Sequence, residues 1–219
     1  MTYINLNGTI FPVKTKSKNS IFFYKLLINF SFNDRVVDER RGFLYYDNQN
    51  NTWVFCGLSQ NGFNQSTNTK NLILLLESPH INEFDSAGNP LRPANGITGT
   101  KINQLLAQKV SGINLNQSTV YCVWLVNAIQ YQTSAYIQLN GRYDYEGAWR
   151  TVRNAIFRTL WSRQTIRDDL YQRIFSINPD FIINCVTGGY HIGLNGLVQS
   201  LISTIKGVPN YYLPHPSSW

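Results

Sequence analysis

Four short apolar runs separated by helical patterns constrain the fold of this chain most strongly. The runs lie at residues 72–76, 120–126, 181–186 and 211–213. Between them, apolar side chains recur with the period of an amphipathic helix at 101–110, 145–161, 166–175 and 194–205. Fully apolar strands that alternate with helices are typical of a parallel sheet covered on both faces. We therefore predict an α/β fold with a central four-stranded parallel sheet and helices on both faces.

The first 70 residues have a different pattern. Apolar runs at 43–46 and 53–56 flank a polar segment at 47–51, which predicts a β-hairpin, and the polar cluster at 59–71 predicts a loop. We divide the chain into a β-rich N-terminal elaboration (1–70) and an α/β domain (71–219), which we expect to form one compact unit. A length of 219 residues is sufficient for a single domain with a substantial core.

Charge and cysteine content restrict the class of partner. Charged residues make up only 14% of the chain, yet its formal net charge is +7. This bias favours a polyanion, with nucleic acid ahead of a membrane, although a merely basic protein would look the same. The three cysteines are too widely spaced for a metal site, and Cys122 and Cys185 lie in apolar runs, where buried thiols are expected. With neither a signal-peptide pattern nor a membrane-spanning run, we expect a cytoplasmic protein.

Polar side chains follow the predicted strands at the edge where such sheets carry their functional loops. Glu77 and Glu83 follow the first strand, Asn127 ends the second, a Thr-Gly-Gly segment (187–189) follows the third, and His215 follows the fourth between two prolines. A carboxylate can orient water or steady a cationic sugar, an amide can read donors and acceptors, and an imidazole can stabilise a departing anion. This set suits hydrolysis of a bond whose leaving group is a polar heterocycle.

The order and spacing of these motifs resemble the uracil-DNA glycosylase superfamily, in particular its iron–sulphur-bearing branch. Leu-Glu-Ser-Pro-His-Ile-Asn-Glu (76–83) resembles the Gly-Glu-Ala-Pro-Gly-x-x-Glu signature, and His-Pro-Ser (215–217) resembles the closing motif. Leu-Val-Asn-Ala (125–128) resembles the strand end whose asparagine reads a pyrimidine, and 88–106 and 178–183 resemble the family's first loop and helix and a later strand. The resemblance covers about residues 70–219.

Several positions depart from that pattern. The cysteines that hold the cluster are missing, so we expect no iron–sulphur centre. Leu76 and His80 replace two glycines of the signature, and Ser218 replaces the proline that usually follows His-Pro-Ser. In the uracil-specific enzymes an aspartate and a tyrosine stand where this chain has Ser78 and His80. The wall beside the pyrimidine C5 edge should therefore differ.

The resemblance implies a monofunctional DNA glycosylase that acts on a flipped-out uracil or modified pyrimidine. It implies catalytic roles for Glu77, Glu83 and His215, base binding by Asn127, His80 and Ile97, and DNA binding by Ser217 (a phosphate) and Trp219 (a wedge in the duplex). We expect DNA as the partner, a monomer, no membrane contact, and neither metal nor cofactor.

Each assignment has a structural alternative, because Glu77 could cap a helix, Asn127 could serve a turn and Trp219 could simply pack against the domain. Two other functions remain open. One is an antiviral glycosylase that excises a hypermodified cytosine from phage DNA. The other is a non-catalytic module that binds nucleic acid or a nucleotide on the same fold.

Overall fold

The computed structural model describes residues 2–6, 9–13, 35–58, 69–85, 89–131, 133, 153–154, 157–188 and 193–219. Its strands are β1 (Thr2–Leu6), β2 (Thr9–Val13), β3 (Glu39–Asp47), β4 (Thr52–Gly57), β5 (Thr69–Leu76), β6 (Val120–Asn127), β7 (Phe181–Asn184) and β8 (Asn210–Tyr212). Its helices are α1 (Ile97–Val110), α2 (helical at 153–154 and 157–161), α3 (Gln164–Ile177) and α4 (Leu194–Ile202). Short 3₁₀ turns form at Ile81–Glu83 and Pro216–Ser218.

Six strands form one mixed sheet in the order β4-β3-β6-β5-β7-β8. The strands β6, β5, β7 and β8 pair in parallel, which confirms the four predicted parallel strands. The predicted hairpin is β3–β4, and it extends the same sheet because β3 pairs antiparallel with β6. The sheet therefore continues across the boundary drawn at residue 70, while β1 and β2 pair only with each other among the described strands.

Strand β5 explains why helices cover both faces of the sheet. Its side chains alternate between two cores, with Leu72, Leu74 and Leu76 in one and Ile73 and Leu75 in the other, and all five are buried. Burial of each such side chain stabilises the fold by about 1.5–3 kcal/mol. The first core is completed by α1, and the second by α2, α3 and α4. The described residues thus form an α/β fold with a six-stranded, largely parallel sheet and four helices.

The observed elements differ from the predicted ones mainly at their ends. Residues 69–71 belong to β5 rather than to a loop, because Asn71 is satisfied inside the sheet: its Nδ2 donates to the Ile177 carbonyl at 2.8 Å, and Trp124 Nε1 donates to its Oδ1 at 3.1 Å. Helix α1 starts at Ile97, before its apolar pattern begins, and α4 stops at Ile202. Of the described helices, none has the length and apolarity needed to cross a membrane.

A candidate active site at the carboxyl ends of the parallel strands

A cavity of about 660 Å³ opens where the four parallel strands end. This volume lies within the range of roughly 300–1,000 Å³ that small-molecule sites occupy. The last residue of β6 and the loops that follow β5, β7 and β8 contribute to its wall, together with Arg153 of α2 and the first turn of α1. The lining residues are Leu76, Glu77, Ser78, His80, Asn82, Glu83, Ala94, Gly96, Ile97, Thr98, Asn127, Arg153, Thr187, Gly188, Tyr212, Pro214, His215, Ser217 and Ser218.

Seven residues of the sequence-predicted site line this cavity: Glu77, His80, Glu83, Ile97, Asn127, His215 and Ser217. Their convergence follows from the register of the sheet. Leu76 pairs with Asn127, and the ladder continues beyond the strand ends because Ala128 N donates to Leu76 O at 2.8 Å. The residue that follows β5 and the residue that ends β6 are therefore held side by side.

Glu77 is a buried carboxylate paired with an arginine. Its Oε1 lies 3.2 Å from Arg153 Nε, whereas its Oε2 has no hydrogen-bond partner within the described part of the chain. Burial raises the pKa of Glu77, and interactions with Arg153 and with Thr187 act in the opposite direction. Arg153 therefore favours the ionised form that a water-orienting or cation-stabilising carboxylate requires.

Glu83 and Asn127 meet in the wall of the same cavity. Asn127 Nδ2 donates to Glu83 Oε2 at 3.4 Å, and the His80 backbone N–H donates to Glu83 Oε1 at 3.2 Å. Burial raises the pKa of Glu83 to about 7, despite these donors and the Ala94 backbone N–H. The other end of the Asn127 amide, Oδ1, is buried and lacks a partner among the described residues.

The position of Asn127 is also fixed by a hydrogen bond to its main-chain carbonyl. Arg173 of α3 donates to the Asn127 carbonyl at 3.0 Å, and the same guanidinium binds both Asp38 oxygens at 2.9 Å and Asp169 at 2.9 Å. Gln130 Nε2 adds a bond of 3.4 Å to Asp38. The segment before β3 and helix α3 thus both hold the end of β6.

His215 is a neutral imidazole with one defined donor. The Ser217 backbone N–H donates to His215 Nδ1 at 3.3 Å, and the Ser217 hydroxyl lies 2.8 Å from the same atom. A backbone N–H can only donate, so Nδ1 carries no proton and the neutral ring has its hydrogen on Nε2. Burial, the charge of Arg153 and the neighbouring His80 lower the pKa of His215 to about 4.

The remaining predicted residues differ in their surroundings. His80 is half-buried, and burial lowers its pKa. Ile97, predicted to lie under the base, is 65% exposed at the start of α1. Ser217 orients His215, and its contact with a phosphate stays a prediction.

Trp219, predicted to act as a wedge, does not line the cavity. Its indole is 9% exposed and packs in the core that α1 covers. Its Nε1 donates to the Pro214 carbonyl at 2.8 Å, and Lys101 of α1 donates to the Trp219 oxygen. The structural alternative, a tryptophan that packs against the domain, describes this position, because these contacts hold the ring away from the surface.

Sequence reasoning missed two members of the site. Arg153 looked like any arginine on an amphipathic helix, and no local signal distinguishes it. Thr187 follows the third predicted strand, and the sequence pattern assigns it no role. Both become meaningful only through their proximity to Glu77. Among the residues that the structure describes, no three His, Cys, Asp or Glu side chains are grouped as a metal site would require.

The site therefore combines a paired carboxylate, a neutral imidazole donor and an amide whose oxygen has no partner among the described residues, all around one cavity. These groups can bind a polar heterocycle, place a carboxylate next to it and donate a hydrogen bond to a developing anion. No known protein family, curated protein or solved structure matches this chain.

Proposed function

We propose that the chain is a DNA glycosylase that hydrolyses the N-glycosidic bond of a flipped-out pyrimidine. The observation that carries this proposal is a pair of buried oxygens, Asn127 Oδ1 and Glu77 Oε2, that have no hydrogen-bond partner among the described residues and belong to two side chains lining one cavity. Buried polar atoms without partners are costly, so their presence favours a polar ligand that supplies the missing donors. The motif resemblance and the net charge of +7 support a DNA ligand.

In this proposal the amide of Asn127 reads the base. A pyrimidine presents ring and exocyclic N–H or carbonyl groups along its edge, and the side-chain amide offers both a donor and an acceptor. Arg173 and the β5–β6 ladder fix the position of Asn127, so that the amide needs little ordering when the base binds.

Glu77 acts on the sugar side of the bond. As the bond to the base lengthens, positive charge develops on the sugar, and a carboxylate nearby stabilises that charge or orients the attacking water. Arg153 favours the ionised form of Glu77 in a site whose burial opposes ionisation. The oxygen of water becomes bonded to the sugar carbon and gives up a proton to Glu77, while the base leaves with the electron pair of the broken bond and takes up a proton from solvent.

His215 acts on the base. The departing pyrimidine carries negative charge on its carbonyl oxygen, and a neutral Nε2–H donor stabilises that oxygen without first losing a proton to it. The pKa of about 4 keeps the ring neutral over the working range of most enzymes. The charge of Arg153 adds to the positive potential around the anion.

A second candidate, excision of a pyrimidine with a bulky modification at C5, is favoured by the cavity volume. An unmodified uracil or cytosine base has only eight heavy atoms and occupies a small part of the cavity of about 660 Å³. Small residues, Ala94, Gly96 and Gly188, line the wall. Ser78 stands where the uracil-specific enzymes have an aspartate. Its hydroxyl forms a hydrogen bond of 2.5 Å with the Thr133 hydroxyl.

The test is mass spectrometry of the free bases released from a panel of DNAs that contain uracil, thymine, cytosine or C5-modified cytosines. We expect release of one class by the wild type, with strongly reduced release by Glu77→Gln. Asp168→Asn is the matched control, because it makes the same kind of change on the exposed face of α3. DNA binding without release from any substrate would contradict the proposal and favour the non-catalytic alternative.

A further inference from the structure

The orientation of the Asn127 amide is set by one neighbour. Its nitrogen is directed to Glu83 Oε2 at 3.4 Å, and its oxygen is the end left without a partner in the described part of the cavity wall. The two side chains are almost fully buried, at 1% and 5% exposure, so water does not compete freely for either group. The amide could be turned by half a revolution only if Glu83 offered a donor in place of an acceptor.

We propose that Glu83 is a positioning residue that determines whether Asn127 presents an acceptor or a donor to the base, and hence which pyrimidine edge the site selects. This inference rests on the proposed function, because it names the hydrogen-bonding class of that substrate. It also changes the role of Glu83 from the catalytic one that the motif implied.

The ionised carboxylate can only accept hydrogen bonds. It therefore retains the Asn127 nitrogen and leaves Oδ1 to accept from an N–H of the base. The protonated form has an O–H that can donate to Oδ1, and the amide then turns and presents its nitrogen. Cytosine and uracil edges carry opposite patterns at N3 and at the 4-position, so the two amide orientations select different bases.

The two forms of Glu83 exchange near neutral pH, because burial raises its pKa to about 7. Its contacts are the backbone N–H of His80, the Asn127 amide and the Ala94 backbone. The titratable and charged side chains around it are His80, Asp85 and Arg92 of its own loop, Arg41 of β3, Glu77 after β5, Arg153 of α2 and His215 after β8. Of these side chains, Arg41 pairs with Glu39 and Arg153 pairs with Glu77.

The first experiment follows the side-chain amide resonances of Asn127 by NMR as a function of pH, with the Asn127→Ala variant used for assignment. We expect these resonances to titrate with the midpoint of the Glu83 carboxyl carbon, near pH 7, and to lose that transition in Glu83→Gln. Glu77→Gln is the matched control, since it changes the other buried carboxylate of the cavity and should leave the transition in place. Asn127 resonances that do not respond to pH in the wild type would overturn the proposal, even if Glu83→Gln failed to fold.

The second experiment measures binding of two oligonucleotides that differ only in carrying 2′-fluoro-2′-deoxyuridine or 2′-fluoro-2′-deoxycytidine, in which the fluorine slows cleavage. We expect the ratio of the two affinities to change by about tenfold across pH 7 in the wild type and to be constant in Glu83→Gln. A ratio that is constant in the wild type, or that changes equally in the variant, would overturn the proposal.

The two proposals fail separately. Coupled titration of Glu83 and Asn127 without base release from any DNA would support the positioning role and contradict the glycosylase. Base release together with an Asn127 amide that does not respond to pH would support the glycosylase and contradict the positioning role.

Discussion

Burial changes the chemistry of four titratable side chains in the cavity. It raises the pKa values of Glu77 and Glu83 and lowers those of His80 and His215. In each case the charged form loses hydration that the wall only partly replaces. As a result the imidazole of His215 is neutral near pH 7, while Glu77 depends on Arg153 for its charge.

Replacement of His215 by alanine should lower base release by ~10²–10³, the usual effect of removing one positioned donor to a developing anion. The affinity for DNA should change little, because phosphate contacts dominate it. Single-turnover release rates and equilibrium binding measure the two effects separately. Full activity of His215→Ala would exclude this residue from the chemistry.

The raised pKa of Glu83 should also make stability depend on pH. Between its ordinary pKa of 4.5 and its folded value of about 7, the folded state holds a proton that the unfolded chain has lost, so the free energy of unfolding falls as pH rises. The raised pKa corresponds to a decrease of up to about 3 kcal/mol in the free energy of unfolding, and this decrease is complete above pH 7. Urea unfolding of the wild type and Glu83→Gln at several pH values measures this effect. As the pH rises from 4.5 to above 7, the free energy of unfolding of the variant should increase by this amount relative to that of the wild type. A difference that is independent of pH would mean that Glu83 titrates normally.

At the scale of the elements, the site depends on how closely helix α1 approaches the loop before it. A Cβ built on Gly99 would lie 2.0 Å from the Ala94 carbonyl oxygen and 3.0 Å from Arg41. Ala94 itself has a φ of 54°, a conformation that L-residues rarely adopt, and it lines the cavity. The absence of a side chain at position 99 thus allows the first turn of α1 to form part of the wall.

Gly99→Ala should therefore lower the free energy of unfolding by about 1–3 kcal/mol, because the overlap with backbone outweighs the better helix propensity of alanine. Gly112→Ala is the matched control, since a Cβ there meets nothing within 4 Å and should change stability by less than about 0.5 kcal/mol. Thermal or urea unfolding compares the two variants. Equal changes in the free energy of unfolding for the two variants would indicate that the loop at Ala94 moves aside at little energetic cost.

Arg173 of α3 joins the segment before β3 to the end of β6, through Asp38 and the Asn127 carbonyl. Replacing it with methionine should cost about 3–5 kcal/mol of stability, because Asp38 would remain buried without its cation. The double variant Arg173→Met, Asp38→Asn should recover part of that loss.

The control for Arg173 is Lys70→Met, which removes the exposed pair with Asp180 and should cost at most about 1 kcal/mol. Unfolding free energies from denaturant titrations decide the comparison. A loss for Arg173→Met no larger than that for Lys70→Met would show that the Asp38 pair does not stabilise the strand end.

For the whole molecule, the net charge of +7 predicts that binding to DNA depends on salt. Raising the salt concentration from about 50 to 200 mM should weaken binding by about 10- to 100-fold if about two to four phosphates are neutralised. His215→Ala should show the same slope, because its effect lies in the chemical step. Fluorescence anisotropy with labelled oligonucleotides provides both values, and an affinity independent of salt would argue against a polyanion partner.

The sequence by itself determined the four parallel strands, the helical kind of connection between them and the edge of the sheet at which the candidate site lies. The apolar run 72–76 can be buried on both faces only inside a sheet, and helical connections make its neighbours parallel. Parallel strands place their carboxyl ends together, so Glu77, Asn127 and His215 were predicted to converge without any knowledge of distances. Those inferences rest on periodicity and chain direction, which are local properties of the sequence.

Only the tertiary structure decided which side chains pair within the site. Glu83 and Asn127 are 44 residues apart in the chain, and the Arg153 that pairs with Glu77 comes from a helix that the motifs do not include. Trp219 joins a core because α1 lies close enough to cover it. Pairing and burial depend on the relative placement of distant segments, and this placement sets the pKa values and orientations that the amino-acid order leaves open.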